Sequence, residues 1–343
     1  MNQNLREVST AAQPVVASRD FLPPVYSAMQ KNWGYVMAVI GAALFSLKAV
    51  IIKLTYGAGV DAADGPLDPI VLMVLRMGFA LPVYIAVLIY ALRKTKTGSF
   101  SPKHIMAAIA LGALGYYLCA LLDFTGLLYI TAQLERLLLF TYPAFVVIIG
   151  VVFMGAKLSR PGLASIAAAY AGIALIFVGG DIASGEKMWT GVALVLSCAF
   201  LFAIFQIIAK PMIDRMGGRL FTCLAMIAAS TSVMLHFIIS YGVLDTGGEG
   251  MASALDLSPR ILGLGFILAI FCTVIPSFLM NLANGRIGAQ AVSTLGMISP
   301  IFTILAAVYL LGEPFGIVDA IGTAMTVLGI GLYTWFDKKA AQS

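Results

Sequence analysis

Apolar stretches recur along the chain, separated by short clusters of glycine, proline and charged residues. Most stretches hold about 20 residues, which is the length that a helix needs to cross the hydrocarbon core of a bilayer. The pattern therefore predicts ten transmembrane helices, with ends placed to within about 2–4 residues. Their predicted ranges are 33–54, 68–92, 103–129, 131–153, 160–180, 188–210, 218–242, 259–283, 287–311 and 315–336.

The composition excludes a soluble protein. The chain is 61% hydrophobic and 11% charged, and its mean hydropathy is +0.98. Soluble domains are about half apolar and about a quarter charged, so a core surrounded by water could not use this much apolar surface. The four cysteines lie in apolar segments without the spacing of a metal site or a disulfide framework. We therefore expect an all-α polytopic membrane protein.

The positions of lysine and arginine predict its orientation, because cytoplasmic connections of membrane proteins carry an excess of both residues. With the N-terminus inside, most of the 21 lysine and arginine residues fall on the inner side, and the outer side holds Lys53, Lys187 and Arg260. Both termini are therefore expected in the cytoplasm, as tails 1–32 and 337–343. The N-terminal tail lacks the apolar core of a signal peptide and is expected to be flexible. The predicted location is the bacterial inner membrane.

The chain also matches itself at one constant offset, without a gap. The two matched units, 33–180 and 188–336, hold five predicted helices each, and the odd number inverts the second unit in the membrane. Inverted-topology repeats are a recurring plan of secondary transporters. An ancient duplication with no role in transport is the alternative. The matched pairs include Ile130 with Ile287, Ala132 with Ala289, Gln133 with Gln290, Pro143 with Pro300 and Gly172 with Gly329.

Three segments carry a resemblance to a known family. They read VLMVLRMGFALPVYI at 71–85, TYPAFVVIIGVVFMG at 141–155, and GAQAVSTLGMISPIFTILAAVYLLGEPFGIVDAIGTAMTVLGIGLY at 288–333. With these segments the chain resembles a ten-helix permease of the EamA type, in the drug/metabolite transporter (DMT) superfamily. The resemblance implies transport of amino acids, other small metabolites or drugs.

The resemblance also implies a set of motif positions. The membrane prolines are Pro143 and Pro300, and the turn after the ninth helix holds Gly312 and Glu313. The first repeat departs from the family pattern, because Ala156 stands where the family turn often has glutamate.

Five charged residues are predicted inside the apolar stretches: Lys48, Arg76, Asp123, Glu135 and Arg136. At 1.5 Å per residue, all five lie roughly 7–12 Å inside the outer boundary, in one layer. Charges at this depth face the bundle interior or a water-filled cavity, and they usually pair. Because Asp123 and Arg136 lie at similar distances from the turn around Tyr129–Thr131 that joins their helices, we predict that they meet.

Several of these residues also have a structural interpretation. Glu135 could stabilise the start of the fourth helix behind a Thr131 cap, since a carboxylate suits the positive end of the helix dipole. Arg136 could extend to the outer headgroups, and Arg76 could clamp neighbouring carbonyls. The second repeat carries Val292 in place of Glu135, which indicates that the fold does not need the charge.

The layer holds three cations and two anions, and an excess of cations suits a substrate carboxylate or a carboxylate that takes up protons. The opposite wall is expected to be apolar or aromatic, and Tyr116 and Tyr117 on the third helix and Phe278 on the eighth could supply its rings. Core packing is the alternative for each of these rings. Asn281 on the eighth helix is one of the polar candidates of the second repeat. The predicted substrate-binding residues are Lys48, Arg76, Tyr117, Asp123, Glu135, Arg136 and Asn281.

The sequence has no nucleotide-binding motif and no constellation of side chains typical of a membrane-embedded enzyme. We therefore expect neither catalysis nor a cofactor nor a metal. The chain is predicted to be a secondary transporter, an exporter of a small organic metabolite such as an amino acid, working by alternating access with the substrate between the repeats. A channel, or a membrane scaffold or sensor, is the alternative. Predicted partners are the small-molecule substrate, the bilayer and a coupling proton or ion, without nucleic acid, in a monomer or homodimer.

Overall fold

The computed structural model of the protein describes residues 24–60, 66–94, 102–155, 160–179, 187–244 and 250–342. All regular elements within these ranges are helices. Eight of the described helices are long and apolar enough to cross a membrane, and the shorter apolar helices Ser299–Leu311 and Ile317–Leu332 accompany them. The predicted fold class, an all-α polytopic membrane protein of two inverted five-helix repeats, is confirmed.

Each repeat contributes five helices in chain order. The first repeat consists of α1 (Pro24–Val60), α2 (Pro69–Lys94), α3 (Pro102–Gly126), α4 (Ala132–Phe153) and α5 (Arg160–Gly179). The second consists of α6 (Met188–Met216), α7 (Gly218–Val243), α8 (259–287), α9 (289–311) and α10 (Ile317–Gln342), with the short helix Gly250–Ala254 before α8.

The predicted tails are partly helical. Residues 24–32 belong to α1 and residues 337–342 belong to α10. The rest of the two predicted tails lies outside the described residues, and so does the motif position Ala156.

Successive helices cross in alternate directions, so each connection lies at one of two faces. The terminal face is where α1 enters and where α6 turns into α7 at Gly217. The hairpin face is where Tyr129–Thr131 join α3 to α4 and where Glu313 lies between α9 and α10. The turn between α8 and α9 contains Gly288 at φ +83°, a backbone conformation that residues with a Cβ atom rarely adopt.

The fourth helix of each repeat is interrupted beside a proline. Regular helix in α4 stops at Leu139 and resumes at Tyr142, directly before Pro143. In α9 the interruption ends at Ile298, two residues before Pro300. Proline lacks an N–H group and its ring collides with the carbonyl of the preceding turn, so the matched prolines favour a break at the same place in both repeats. Interrupted helices of this kind line the substrate sites of many transporters.

The fifth helices of the two repeats, α5 and α10, pack at close range. A Cβ atom on Gly172 would lie 2.5 Å from the carbonyl oxygen of Gly322. The hydroxyl of Thr326 lies 3.2 Å from the carbonyl oxygen of Ala169 and 2.8 Å from that of Gly322. Small residues therefore bring these two backbones together, as they do in other membrane bundles.

The largest group of buried apolar side chains lies among α1, α2, α3, α7 and α8, and it includes Ile52, Leu72 and Phe124. Large apolar side chains on the outer helix surfaces remain exposed, for example Phe153 at 80% and Val178 at 88%. Exposure on this scale suits contact with lipid rather than water.

Candidate functional site

A lysine and two carboxyl groups from three helices meet inside the first repeat. The Nζ atom of Lys48 on α1 lies 2.5 Å from Oδ2 of Asp123 on α3, and 3.9 Å from Oε1 of Glu135 on α4. The side chains of Asp123 and Glu135 are 2% and 0% exposed, and that of Lys48 is 19% exposed. Lys48 therefore lies next to two of the other charged residues that were predicted to share its layer.

The Glu135 carboxyl group lies in the first turn of α4. Thr131 caps this helix, because its hydroxyl accepts a hydrogen bond from the backbone N–H of Leu134 at 3.2 Å. The positive end of the helix dipole favours negative charge at this position. Within the described part of the chain, however, no donor forms a hydrogen bond to either oxygen of Glu135 or to Oδ1 of Asp123. The prediction that Thr131 caps this helix is confirmed, but the cap provides no hydrogen bond to the oxygens of Glu135.

The prediction that Arg136 pairs with Asp123 is wrong. Adjacent residues of a helix point about 100° apart, and the guanidinium of Arg136 points toward α1 and α9. Its Nε donates to Oγ1 of Thr303 at 3.1 Å, and a terminal nitrogen donates to the backbone carbonyl of Phe45 at 3.1 Å. Arg136 therefore links the first repeat to α9 of the second.

A chain of hydroxyl groups continues this contact between the repeats. Oγ1 of Thr303 lies 3.0 Å from the carbonyl oxygen of Ser46, and the hydroxyls of Ser46 and Ser299 are 2.7 Å apart. All three residues are buried. They hold the seam between α1 and α9 in the same layer as Arg136, so the arginine acts within a fixed polar framework.

Arg76 on α2 is buried beside an aromatic ring. Its guanidinium carbon lies 5.0 Å from the ring centroid of Phe124 on α3, which is cation–π geometry. Its Nε has no hydrogen-bond partner among the described residues. The alternative prediction was that Arg76 clamps neighbouring carbonyls. No such hydrogen bond is present among the described residues, and the guanidinium instead packs against the ring of Phe124.

A cavity of about 430 Å³ lies between the repeats. Lys48, Arg76, Asp123 and Arg136 line its charged end. Its other walls include the aromatic residues Tyr116, Tyr142 and Phe202 and the polar residues Thr222 and Asn281. Because Thr222 lies near the start of α7 and Asn281 near the end of α8, the cavity extends from the charged layer toward the terminal face.

Two predicted site residues do not line this cavity. Glu135 lies behind Lys48 and Asp123, and Tyr117 points to α7, where its hydroxyl lies 2.9 Å from Nδ1 of His236. The neighbouring Tyr116 lines the cavity instead. Adjacent side chains of a helix point in different directions, so only one of the two faces the cavity; both lie in the π-helical turn Ala113–Leu118.

The two repeats are joined at the hairpin face by a polar contact. The carboxylate of Glu313 accepts hydrogen bonds from the backbone N–H groups of Ala132 at 2.7 Å and Gln133 at 3.2 Å. The side-chain amide of Gln133 donates to the carbonyl of Pro314 at 3.1 Å. The first N–H groups of a helix lack partners within the helix, so a carboxylate satisfies them well. Glu313 was predicted only as a motif position, and no pattern in the sequence indicates its contact with the start of α4.

Gly312 places this carboxylate. It ends α9 in the left-handed conformation at φ +64°, which turns the chain sharply before Glu313. In the first repeat the matching turn carries Ala156, which offers no carboxylate to the start of α9.

The arrangement of two inverted five-helix repeats around a charged cavity defines a membrane transporter. The chain belongs to the EamA-like transporter family, whose sequence profile matches residues 32–178 and 189–335. This confirms the resemblance noted in the sequence.

Several curated proteins are similar to this chain. The uncharacterized transporter YcbK of Bacillus subtilis is 28% identical over 84% of this chain and 88% of its own length. An uncharacterized transporter of Archaeoglobus fulgidus is 25% identical over 78% of this chain and 88% of its own. A probable terminal-alkyne amino-acid exporter of Streptantibioticus cattleyicolor is 25% identical over 60% of this chain and 65% of its own.

A solved crystal structure shares the fold. It superposes with a TM-score of 0.58 at 16% sequence identity, covering 90% of this chain and 98% of the other.

Proposed function

We propose that the protein is a secondary transporter that exports a small amino acid-like metabolite by alternating access, with the substrate bound in the cavity between the repeats. The observation that carries the proposal is a cavity that spans both repeats and is charged at one end, in a protein whose repeats are joined at the hairpin face by Glu313. A cavity of about 430 Å³ is in the usual size range of small-molecule sites, about 300–1,000 Å³.

The charges of the cavity wall favour a substrate with a carboxylate. Asp123 neutralises Lys48 at 2.5 Å, which leaves the guanidinium groups of Arg76 and Arg136 as the remaining cations of the wall. Planar guanidinium groups recognise carboxylates through paired hydrogen bonds. An amino group on the same molecule would find the carboxylate of Asp123 nearby, so the wall suits an amino acid.

The aromatic part of the wall favours an apolar side chain on that substrate. The rings of Tyr116, Tyr142 and Phe202 line the cavity beyond the charged layer. The name of the relative from Streptantibioticus cattleyicolor, a probable terminal-alkyne amino-acid exporter, supports the same substrate class.

The inverted repeats supply the two openings that alternating access needs. The Glu313 contact joins the repeats at the hairpin face, and the cavity extends toward the terminal face. In the proposed mechanism this contact keeps the hairpin face closed. With the terminal face in the cytoplasm, as the lysine and arginine distribution predicts, this is an inward-facing state. Rocking one repeat against the other would break the Glu313 contact and open the cavity to the outside.

Counterflow in proteoliposomes tests the proposal. Vesicles loaded with unlabelled L-leucine or L-phenylalanine should accumulate the same radiolabelled amino acid transiently, and a channel would not produce this accumulation. Arg136→Gln should abolish it. The control is Lys210→Gln, whose side chain is exposed near the terminal face and pairs with Asp214 at 3.2 Å. Absence of counterflow for both amino acids in folded protein contradicts the proposal.

A further inference from the structure

Glu135 carries a buried carboxyl group without a hydrogen-bond partner in the described part of the protein. Its side chain is fully buried, and no donor forms a hydrogen bond to either of its oxygens. Buried polar groups are nearly always hydrogen-bonded, so such an exception requires an explanation. The proposed transport mechanism gives Glu135 no contact with substrate, because it lies behind the cavity wall.

The groups that face Glu135 come from several helices. Lys48 on α1 lies 3.9 Å away, and Nε of its neighbour Arg136 lies 4.0 Å away. Lys48 already donates to Asp123 at 2.5 Å, and Arg136 donates to Thr303 on α9 and to the carbonyl of Phe45. Both cations are thus positioned by other partners, and neither completes the hydrogen bonding of Glu135.

The carboxyl group of Asp123 is the remaining neighbour. Oδ2 of Asp123 and Oε1 of Glu135 lie 2.5 Å and 3.9 Å from the same Nζ atom of Lys48, so the two carboxyl groups are neighbours. Oδ2 of Asp123 is bonded to Lys48, and Oδ1 of Asp123 has no donor among the described residues. Arg76 on α2, which also lines this end of the cavity, is held against the ring of Phe124. Two unprotonated carboxylates only accept hydrogen bonds, so a bond between them requires a proton.

We propose that Glu135 and Asp123 form a proton-binding site, in which protonated Glu135 donates a hydrogen bond to Oδ1 of Asp123. One proton then satisfies oxygens on both side chains, and the pair carries a single negative charge beside Lys48. Binding adds a proton to the Glu135 carboxylate and release returns it, with no other bond changed. The ligand of this site is a proton.

The second repeat supports a functional origin for these groups. At the same constant offset, Lys48, Asp123 and Glu135 correspond to Phe205, Met280 and Val292. The fold accommodates apolar side chains at all three positions of the second repeat, so the cluster is not a requirement of the helix packing.

The position of the pair connects proton binding with transport, and this step rests on the proposed function. Asp123 lines the cavity whereas Glu135 does not, so the proton exchanges with the cavity through Asp123. A substrate that contacts Asp123 changes the hydrogen bond that holds the proton. Substrate transport is therefore coupled to proton movement, and the protein's energy source is the proton gradient.

Infrared spectroscopy of the purified full-length protein in liposomes tests the site without a substrate. At neutral pH a protonated-carboxyl C=O band should be present, should shift in D₂O and should disappear in Glu135→Gln. Asp123→Asn should shift the band, because it changes the acceptor. Asp214→Asn, an exposed carboxylate that pairs with Lys210, is the control and should leave the band unchanged. The proposal is overturned if wild-type protein lacks the band or if Glu135→Gln retains it.

A second measurement separates this inference from the proposed function. Proteoliposomes showing L-leucine counterflow should also accumulate L-leucine against its gradient when a pH gradient is imposed, and Glu135→Gln should keep counterflow while losing this accumulation. Glu135→Val, the residue of the second repeat, provides an independent folded variant. Counterflow that no pH gradient drives overturns the coupling. A carboxyl band in protein without any counterflow leaves the proton site standing and contradicts the transport function.

Discussion

The carboxylate of Glu313 accepts a hydrogen bond from the backbone N–H of Ala132 at 2.7 Å, and so joins the end of α9 to the start of α4 across the two repeats. The contact combines a negative charge with the positive end of a helix, and it breaks as one unit when the helices separate. The matching position in the first repeat is Ala156, so the sequence supplies this device at one face of the membrane only.

Removing the Glu313 carboxylate should open the hairpin face. Loss of a helix cap costs about 1–2 kcal/mol, which changes a two-state population by a factor of about 5–30. Cys119, Cys198 and Cys272 line the cavity and report on this change. A membrane-impermeant maleimide applied from the hairpin face should therefore label Glu313→Ala several-fold faster than wild type.

The matched control for this prediction is Asp214→Asn, an exposed carboxylate far from the hairpin face. Its labelling rate should equal that of wild type. Equal rates for wild type and Glu313→Ala would show that the contact does not close the cavity.

Arg136→Lys should reduce transport although it preserves the charge. Lysine cannot reproduce the two directed bonds to Thr303 and to the Phe45 carbonyl. A hydrogen bond to a charged group contributes about 1.5–3 kcal/mol, so we expect at least a ~10-fold loss in counterflow rate. The control is Arg215→Lys, an arginine exposed near the terminal face that lies 3.3 Å from His104. Equal counterflow rates for wild type and Arg136→Lys would show that the guanidinium of Arg136 does not act in the substrate site.

Lys48→Met should destabilise the protein, because it leaves the buried carboxylate of Asp123 without its counter-charge. Breaking a buried ion pair on one side costs about 3–5 kcal/mol. The double variant Lys48→Met/Asp123→Asn removes both charges and should recover most of the loss in the midpoint of thermal unfolding. If the double variant unfolds no later than Lys48→Met, the two charges do not stabilise each other.

Gly172→Ala should weaken the seam between α5 and α10. The added Cβ would lie 2.5 Å from the carbonyl of Gly322, and relieving this overlap costs about 1–3 kcal/mol. Gly263→Ala in α8 is the control, because an added Cβ there meets no atom within 4 Å. Thermal unfolding should occur earlier in Gly172→Ala and unchanged or later in Gly263→Ala. A midpoint lowered equally in both variants would show that the effect of Gly172→Ala does not come from the seam.

The helices could be predicted from the sequence because apolar length is a local property that identifies a span. Their breaks beside Pro143 and Pro300 do not follow from proline alone, because Pro82 and Pro211 lie inside continuous helices. Thr131 could be predicted as a cap because its hydroxyl and the N–H of Leu134 are only three residues apart.

The side-chain partners could not be predicted, because they depend on how helices rotate about their axes. The layer of charges was expected from depth alone, but depth does not decide whether Asp123 meets Lys48 or Arg136. Of the neighbouring Tyr116 and Tyr117, only Tyr116 lines the cavity, and no sequence pattern decides between the two. The Glu313 contact joins residues from different repeats, and it could not be predicted from the sequence for the same reason.

A reversible cross-link at the hairpin face tests alternating access most directly. Gln133 donates to the carbonyl of Pro314, so cysteines at these two positions, in a variant whose native cysteines are replaced by alanine, lie within reach of a short cleavable dithiol cross-linker. Cross-linked protein should lose counterflow and regain it when the linker is cleaved, because the hairpin face must open in every transport cycle. Counterflow at an undiminished rate in fully cross-linked protein would contradict transport by alternating access.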